Sequence, residues 1–497
     1  MRFLLLCSIA SLALAADSSV KTESGMVSGV PGANPAVRVY KGIPFAQPPV
    51  ADLRWKAPKA PAKWTGVMKA DKFGATCMQA PYPEGSPYHE PPQVVSEDCL
   101  FLNVWSAAKS PKEHRPVMVW IHGGALTRGS GSTLTYDGEH LAQKGVIVVT
   151  INYRLGVFGF FAHPELTKES DRNASGNYGF LDQIAALDWV QHNIAAFGGD
   201  PKRVTIFGES AGSWAVNVLT ASPLAKGLFQ RAIGESGAEF GQLRTLAEAE
   251  QSGVRAAKSE SIAALRAKPS AEIMKLQAAA APIVDGYLLP KDVRTIYAEG
   301  KQNDVPMLIG SNADEGTAFA APGVKAEGFK STAKSRYGDL ADAYLKIYPA
   351  STDDEAKKSS AAAMRDQVFG WEMRTWARMQ SQSGKSKAYL YYFSKVPPGE
   401  FGAKLGAYHA SEIAYVFETL EGGTAADKKL SDEMSSYWVN FAATGDPNGK
   451  ALPKWPVYLE KTDLALGLGE KVEPIPALHK DALDFLDAQD AKRRATR

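Results

Sequence analysis

The chain has 497 residues, 45% of them hydrophobic and 22% charged, which is an ordinary globular composition with enough length for a large buried core. Lys and Arg number 56 against 54 Asp and Glu, a formal charge of +2, so no strong field favours nucleic acid or an anionic membrane.

Met1-Arg2 precedes an apolar stretch from Phe3 to Leu14 that closes on Ala13-Leu14-Ala15, the small-residue pattern of a secretory cleavage site. A run of about 12 apolar residues is too short to span a bilayer. We therefore expect a signal peptide over 1–15, a secreted or periplasmic protein with no integral membrane association, and one domain over 16–497. Cys7 falls inside the leader, leaving Cys77 and Cys99 as an even pair suited to one disulfide in an oxidising compartment. The sequon at Asn173 would matter only in a eukaryotic host.

Strand-like runs then alternate with helical stretches: Val117 to Ile121, Val146 to Ile151, a helix near Leu181 to Ala196, and Val204 to Phe207. Runs that are apolar on successive residues suit strands covered on both faces of a mostly parallel sheet. Further strands are expected at Pro306 to Ile309 and Ala388 to Phe393, with helical patterns over 246–280 and 352–382. Met434, Tyr437, Trp438 and Phe441 follow the spacing of a core-facing helix, stopped by Gly445 and Pro447. No repeat or low-complexity linker divides the chain.

Between the run Val204 to Phe207 and a helical pattern at Ser213 to Leu219 lies Gly208-Glu209-Ser210-Ala211-Gly212. A strand that turns sharply through a serine into a helix holds the hydroxyl clear of the sheet, so Ser210 is the candidate nucleophile. Ester chemistry also needs a base, an acid to orient it and donors for the oxyanion. In such a sheet the chain order is serine, acid, histidine, which leaves His409 and His479. His409 follows a glycine-containing loop after the strand near Tyr389, whereas His479 reads as a polar surface helix near the chain end. Asp314 and Glu315, in the loop after Pro306 to Ile309, both qualify as the acid, and Asp285 is a third candidate in a D-G turn. Oxyanion amides are expected from Ala211 and from the loop His122-Gly123-Gly124-Ala125. No zinc-type spacing and no phosphate loop are present, so neither a metal nor a cofactor is implied. Trp214 and Trp371 are candidate pocket walls.

With these motifs stand Tyr40-Lys41-Gly42-Ile43-Pro44-Phe45, Ser96-Glu97-Asp98-Cys99-Leu100-Phe101-Leu102-Asn103-Val104-Trp105, Asn152-Tyr153-Arg154-Leu155-Gly156 and Tyr408-His409-Ala410-Ser411-Glu412-Ile413. Together they resemble the type B carboxylesterase and lipase family, nearly end to end. The resemblance implies an α/β-hydrolase fold: a large, mostly parallel twisted sheet flanked by helices, with helical insertions. It implies that Glu315 is the acid, His409 the base, Gly124, Ala125 and Ala211 the oxyanion hole, and Cys77–Cys99 a disulfide. It also implies that Arg54 with Glu97 and Arg154 with Asp182 are structural charge pairs.

The expected function is hydrolysis of small to medium soluble carboxylic esters through a Ser-His-Glu triad and an acyl-enzyme. A lipase acting on long-chain esters and a noncatalytic adhesion protein on the same scaffold are the alternatives. The stretch from Cys77 to Cys99 holds no Trp, only Tyr82, Tyr88 and His89 as rings, so choline esters lack a cation–π platform. Its prolines, Pro81, Pro83, Pro87, Pro91 and Pro92, make a stiff segment rather than a large mobile lid.

Overall fold

Strands whose residues are apolar in succession need cover on both faces, and the sheet is built around them. The computed structural model describes residues 19–320, 323–476 and 478–495, so the expected leader at 1–15 lies outside them. Its main sheet has 11 strands: β1 (Val30–Pro31), β2 (Arg38–Pro44), β3 (Phe101–Ser106), β4 (Arg115–Ile121), β5 (Ile147–Ile151), β6 (Gly199–Glu209), β7 (Arg231–Glu235), β8 (Met307–Asn312), β9 (Ala388–Phe393), β10 (Leu464–Leu468) and β11 (Val472–Pro476). The spatial order is β11-β10-β9-β8-β7-β6-β4-β5-β3-β2-β1. From β5 to β10 the neighbours are parallel, and the flanks are closed by antiparallel strands. All five residues of β5 are buried, as are six of the seven in β4.

Helices cover both faces. The helix expected near Leu181 to Ala196 runs as α1 (Tyr178–Asn193) and tightens into a short 3₁₀ turn, Ile194–Phe197. The elbow helix is α2 (Ala211–Ala221). The pattern over 246–280 breaks into Leu246–Ala257, Ile262–Arg266 and Ser270–Ile273. The serine at 261 accepts from the Ala264 amide, and Pro269 opens the third piece, so local caps override the continuous period. The pattern over 352–382 is likewise Asp353–Met364, a π turn at Arg365–Gly370, and α3 (Trp371–Ser383).

Near the C-terminus α4 (Ala425–Thr444) starts on a capping box between Thr424 and Asp427 and stops at Gly445, whose φ is 81°. Met434, Tyr437, Trp438 and Phe441 are all fully buried under the sheet, as their spacing predicts. Removing a side chain such as Phe441 from water contributes about 2–3 kcal/mol. The last helix, α5 (Lys480–Ala495), packs on α3 through ion pairs from Arg374 and Arg378 to Asp484 and Asp487. Among the described residues no helix is long and apolar enough to cross a membrane.

Candidate active site

The carboxyl ends of the parallel strands converge on Ser210. At the end of β6 the chain turns through that residue with φ 56° and ψ −123°, a sparsely populated conformation that costs on the order of 1–3 kcal/mol. The Ser210 amide is held by Glu235 O at 2.8 Å, and the Ser210 carbonyl accepts from Trp214 N at 2.9 Å. A Cβ on Gly212 would lie 1.9 Å from Ile121 O, so only glycine lets the helix start this close to the end of β4.

The oxyanion turn follows β4. A Cβ on Gly123 would sit 3.0 Å from Ser210 Cβ, which puts the turn directly against that serine. Ala125 and Leu126 take φ of 55° and 58°, and Gly124 O accepts from the amides of Thr127 and Arg128 at 3.0 Å each. Among the described backbone bonds outside helices and strands, the amides of Gly124, Ala125 and Ala211 donate to nothing.

Behind these, His409 Nδ1 lies 2.6 Å from Glu315 Oε2, and Glu315 Oε1 accepts from Asn312 N at 2.7 Å. His409 and Glu315 are both buried. Phe369 and Phe319 stand 4.7 and 5.0 Å from the imidazole, ring centre to ring centre, and Tyr88 donates its hydroxyl to His409 O at 3.0 Å. The π turn over 365–370 is what carries Phe369 to the imidazole.

The other candidates have different tasks. Asp314 accepts from Ala407 N at 2.8 Å and so ties the Glu315 loop to the His409 loop. Asp285 accepts from the amides of Tyr287, Leu288 and Leu289, a turn with no route to the serine. His479 is half-buried instead of lying on a surface helix, held between Tyr392 Oη at 2.8 Å and Arg365 at 3.1 Å. Trp214 stands beside the elbow, where a Cβ on Gly237 would touch its ring, while Trp371 donates to Asp487 and is core.

Sequence reasoning missed Glu209. Its Oε1 lies 3.1 Å from His409 Nε2, and among the described hydrogen bonds none joins the Ser210 hydroxyl to that nitrogen. Burial, and then Glu412, Glu315 and Glu235, push the Glu209 carboxyl well above the usual range. Glu412 is raised by burial and by Glu235, and Glu235 is pushed up to about 8 by burial. Trp438 Nε1 donates to Glu235 Oε1 at 2.8 Å, and Asn312 Nδ2 donates to Glu412 Oε2 at 2.5 Å. Burial and mutual repulsion therefore favour the neutral form of these carboxyls, while Glu315 keeps the hydrogen-bonded position behind the imidazole. The available sign was an acid next to the serine, just past the run Val204 to Phe207.

The scaffold around the cleft is cross-linked. Cys77 and Cys99 are disulfide-bonded. Arg54 grips Glu97 through Nε and Nη2 at 2.7 and 2.5 Å, and Arg154 grips Asp182 in the same forked way at 2.8 and 2.7 Å.

A family model described as "Carboxylesterase family" matches residues 16–486. The chain belongs to the carboxylesterase family. Among its relatives are a fumonisin B1 esterase from Sphingopyxis macrogoltabida, 39% identical over 89% of this chain and 85% of that protein, and a para-nitrobenzyl esterase from Bacillus subtilis (strain 168), 38% identical over 91% and 95%. A human cocaine esterase is 36% identical over 88% and 85%. A solved PNB esterase superposes with a TM-score of 0.83 at 35% identity, covering 95% of this chain and 99% of that one. This carboxylesterase therefore has the α/β-hydrolase fold and is a carboxylic-ester hydrolase.

Proposed function

We propose that the enzyme cleaves small to medium soluble esters through a Ser210-His409-Glu315 triad and an acyl-enzyme. The reading is carried by the 2.6 Å contact between His409 Nδ1 and Glu315, beside a serine held at a strained elbow. Glu315 fixes the tautomer that leaves Nε2 free to accept a proton. Nε2 takes the Ser210 proton as Oγ attacks the carbonyl, then delivers it to the leaving alcohol. The amides of Gly124, Ala125 and Ala211 receive the oxyanion, and each such donor is worth about 3 kcal/mol in the transition state. Water then repeats the sequence and releases the acid.

Soluble esters are favoured over oil interfaces because the Cys77–Cys99 segment is fastened down. Gln79 exchanges two 2.8 Å bonds with Gly129, Gln93 accepts from Ser132 at 2.8 Å, and Tyr88 holds the base loop. The leader pattern and the disulfide together support export from the cytosol to the periplasm or beyond.

Ser210→Ala should abolish turnover of a short-chain chromogenic ester and labelling by a fluorophosphonate, with the melting temperature retained. Unchanged turnover overturns the triad. A jump in activity on emulsified long-chain ester would overturn the preference for soluble substrates.

A further inference from the structure

The oxyanion turn carries an open guanidinium. Arg128 lies four residues beyond Gly124, its amide donates to Gly124 O at 3.0 Å, and its carbonyl sits 2.3 Å from the place of a Cβ on Gly124. Its side chain turns toward the Cys77–Cys99 segment. Nε donates to Ala80 O at 3.2 Å, and the guanidinium carbon stands 5.4 Å from the centre of the Tyr82 ring. Tyr82 in turn leans over the oxyanion turn, its hydroxyl 3.0 Å from the place of a Cβ on Gly124. Those two contacts hold the guanidinium, and among the described residues neither terminal nitrogen has a partner. Among the described residues Arg128 forms no ion pair.

We propose that Arg128 receives a free carboxylate on the substrate, so that the preferred esters carry a second, unesterified carboxylate close to the scissile bond. The inference rests on the ester-hydrolase reading above and deepens it. A flat guanidinium stacked on a tyrosine and tethered through Nε presents two parallel N–H groups, which match the two oxygens of a carboxylate. The half-exposed position lets the carboxylate shed only part of its water, and the rings of Tyr82, Tyr88 and Phe319 lower the dielectric around the pair. A cationic leaving group would meet this positive charge instead of an aromatic platform.

The test compares kcat/KM on two matched pairs of esters, in the wild type, Arg128→Gln and Arg128→Lys. One pair, 4-nitrophenyl hexanoate and mono-4-nitrophenyl adipate, places the carboxylate on the acyl side. The other, phenyl acetate and 4-acetoxybenzoate, places it on the leaving group. The wild type should favour the charged member of at least one pair, and the pair that responds identifies the side. Arg128→Gln should lower that preference by about tenfold or more, mainly through KM. Arg128→Lys should restore part of it, and raising the salt concentration should erode it in the wild type. An equal loss on charged and neutral esters would indicate a merely structural arginine and overturn the proposal. So would an identical charge preference in the wild type and Arg128→Gln for both pairs. If the wild type turned over none of the four esters, the hydrolase reading would fail instead.

Discussion

Asp314 Oδ2 accepts a hydrogen bond from the Ala407 amide at 2.8 Å, so the residue beside Glu315 grips the loop that presents His409. A bridge between Asp314 and Tyr408 adds a second tie. Asp314→Ala should therefore loosen the imidazole without removing any reacting group. We expect kcat to fall about tenfold to a hundredfold while KM changes little, since small misplacements of a positioned group cost this much. Steady-state kinetics beside a thermal melt checks it; a loss of stability with unaltered kcat in the folded fraction contradicts it.

Glu315→Gln keeps the shape and the bond from Asn312 N but removes the charge behind His409. The expected loss in kcat is a hundredfold to ten-thousandfold, the scale seen when the acid of such a triad is neutralised. Glu315→Asp should sit between the two, because its shorter side chain retains charge but loses contact. Stopped-assay rates on a chromogenic ester rank the three proteins.

Glu235 is fully buried, with a carboxyl raised from 4.5 to about 8. A carboxyl raised on folding binds its proton more tightly in the native state than in the unfolded chain. It therefore costs stability progressively as pH rises from about 4.5 to about 8, and the loss is complete above that window. Glu235→Gln, which can still accept from Trp438 Nε1, should melt higher than the wild type at pH 8, by on the order of 2 °C, and about the same at pH 4.5. Melting curves across this range decide it, and a variant less stable at pH 8 would falsify the neutral-carboxyl reading.

Replacing Cys77 and Cys99 together by Ser opens a loop of sequence separation 22. On the loop-entropy estimate the unfolded chain regains about 3 kcal/mol of freedom. Activity should decline alongside stability, because Tyr88 in that segment holds the His409 carbonyl. Chemical denaturation of the oxidised, reduced and double-variant proteins measures the first effect, and initial rates below the melt measure the second.

Local signals carried much of this reading. The elbow and the oxyanion turn were legible because a strand, a short glycine-bearing turn and a helix start are contiguous in the chain. The core stripe from Met434 to Phe441 was legible for the same reason, being one face of one helix. The choice between Asp314 and Glu315 was not, since adjacent residues on a 3₁₀ turn point in different directions and spacing is blind to that. The grouping of the Glu209, Glu235 and Glu412 carboxyls was also invisible. Only the closing of the sheet brings acids so distant in the chain together. The π turn at Arg365–Gly370 was hidden because its single extra residue leaves a helical hydropathy pattern almost unchanged.

Tolerance to redesign should be divided sharply between two zones. The contact of Gly212 with Ile121 O and the buried parallel strands leave no volume to vary, so random substitution there yields unfolded protein. The surrounding tips, around Tyr82, Thr127, Arg128 and Phe319, are partly or largely open to solvent and carry none of the sheet's pairing. A library aimed at those few positions would explore new specificities while most of its members still fold.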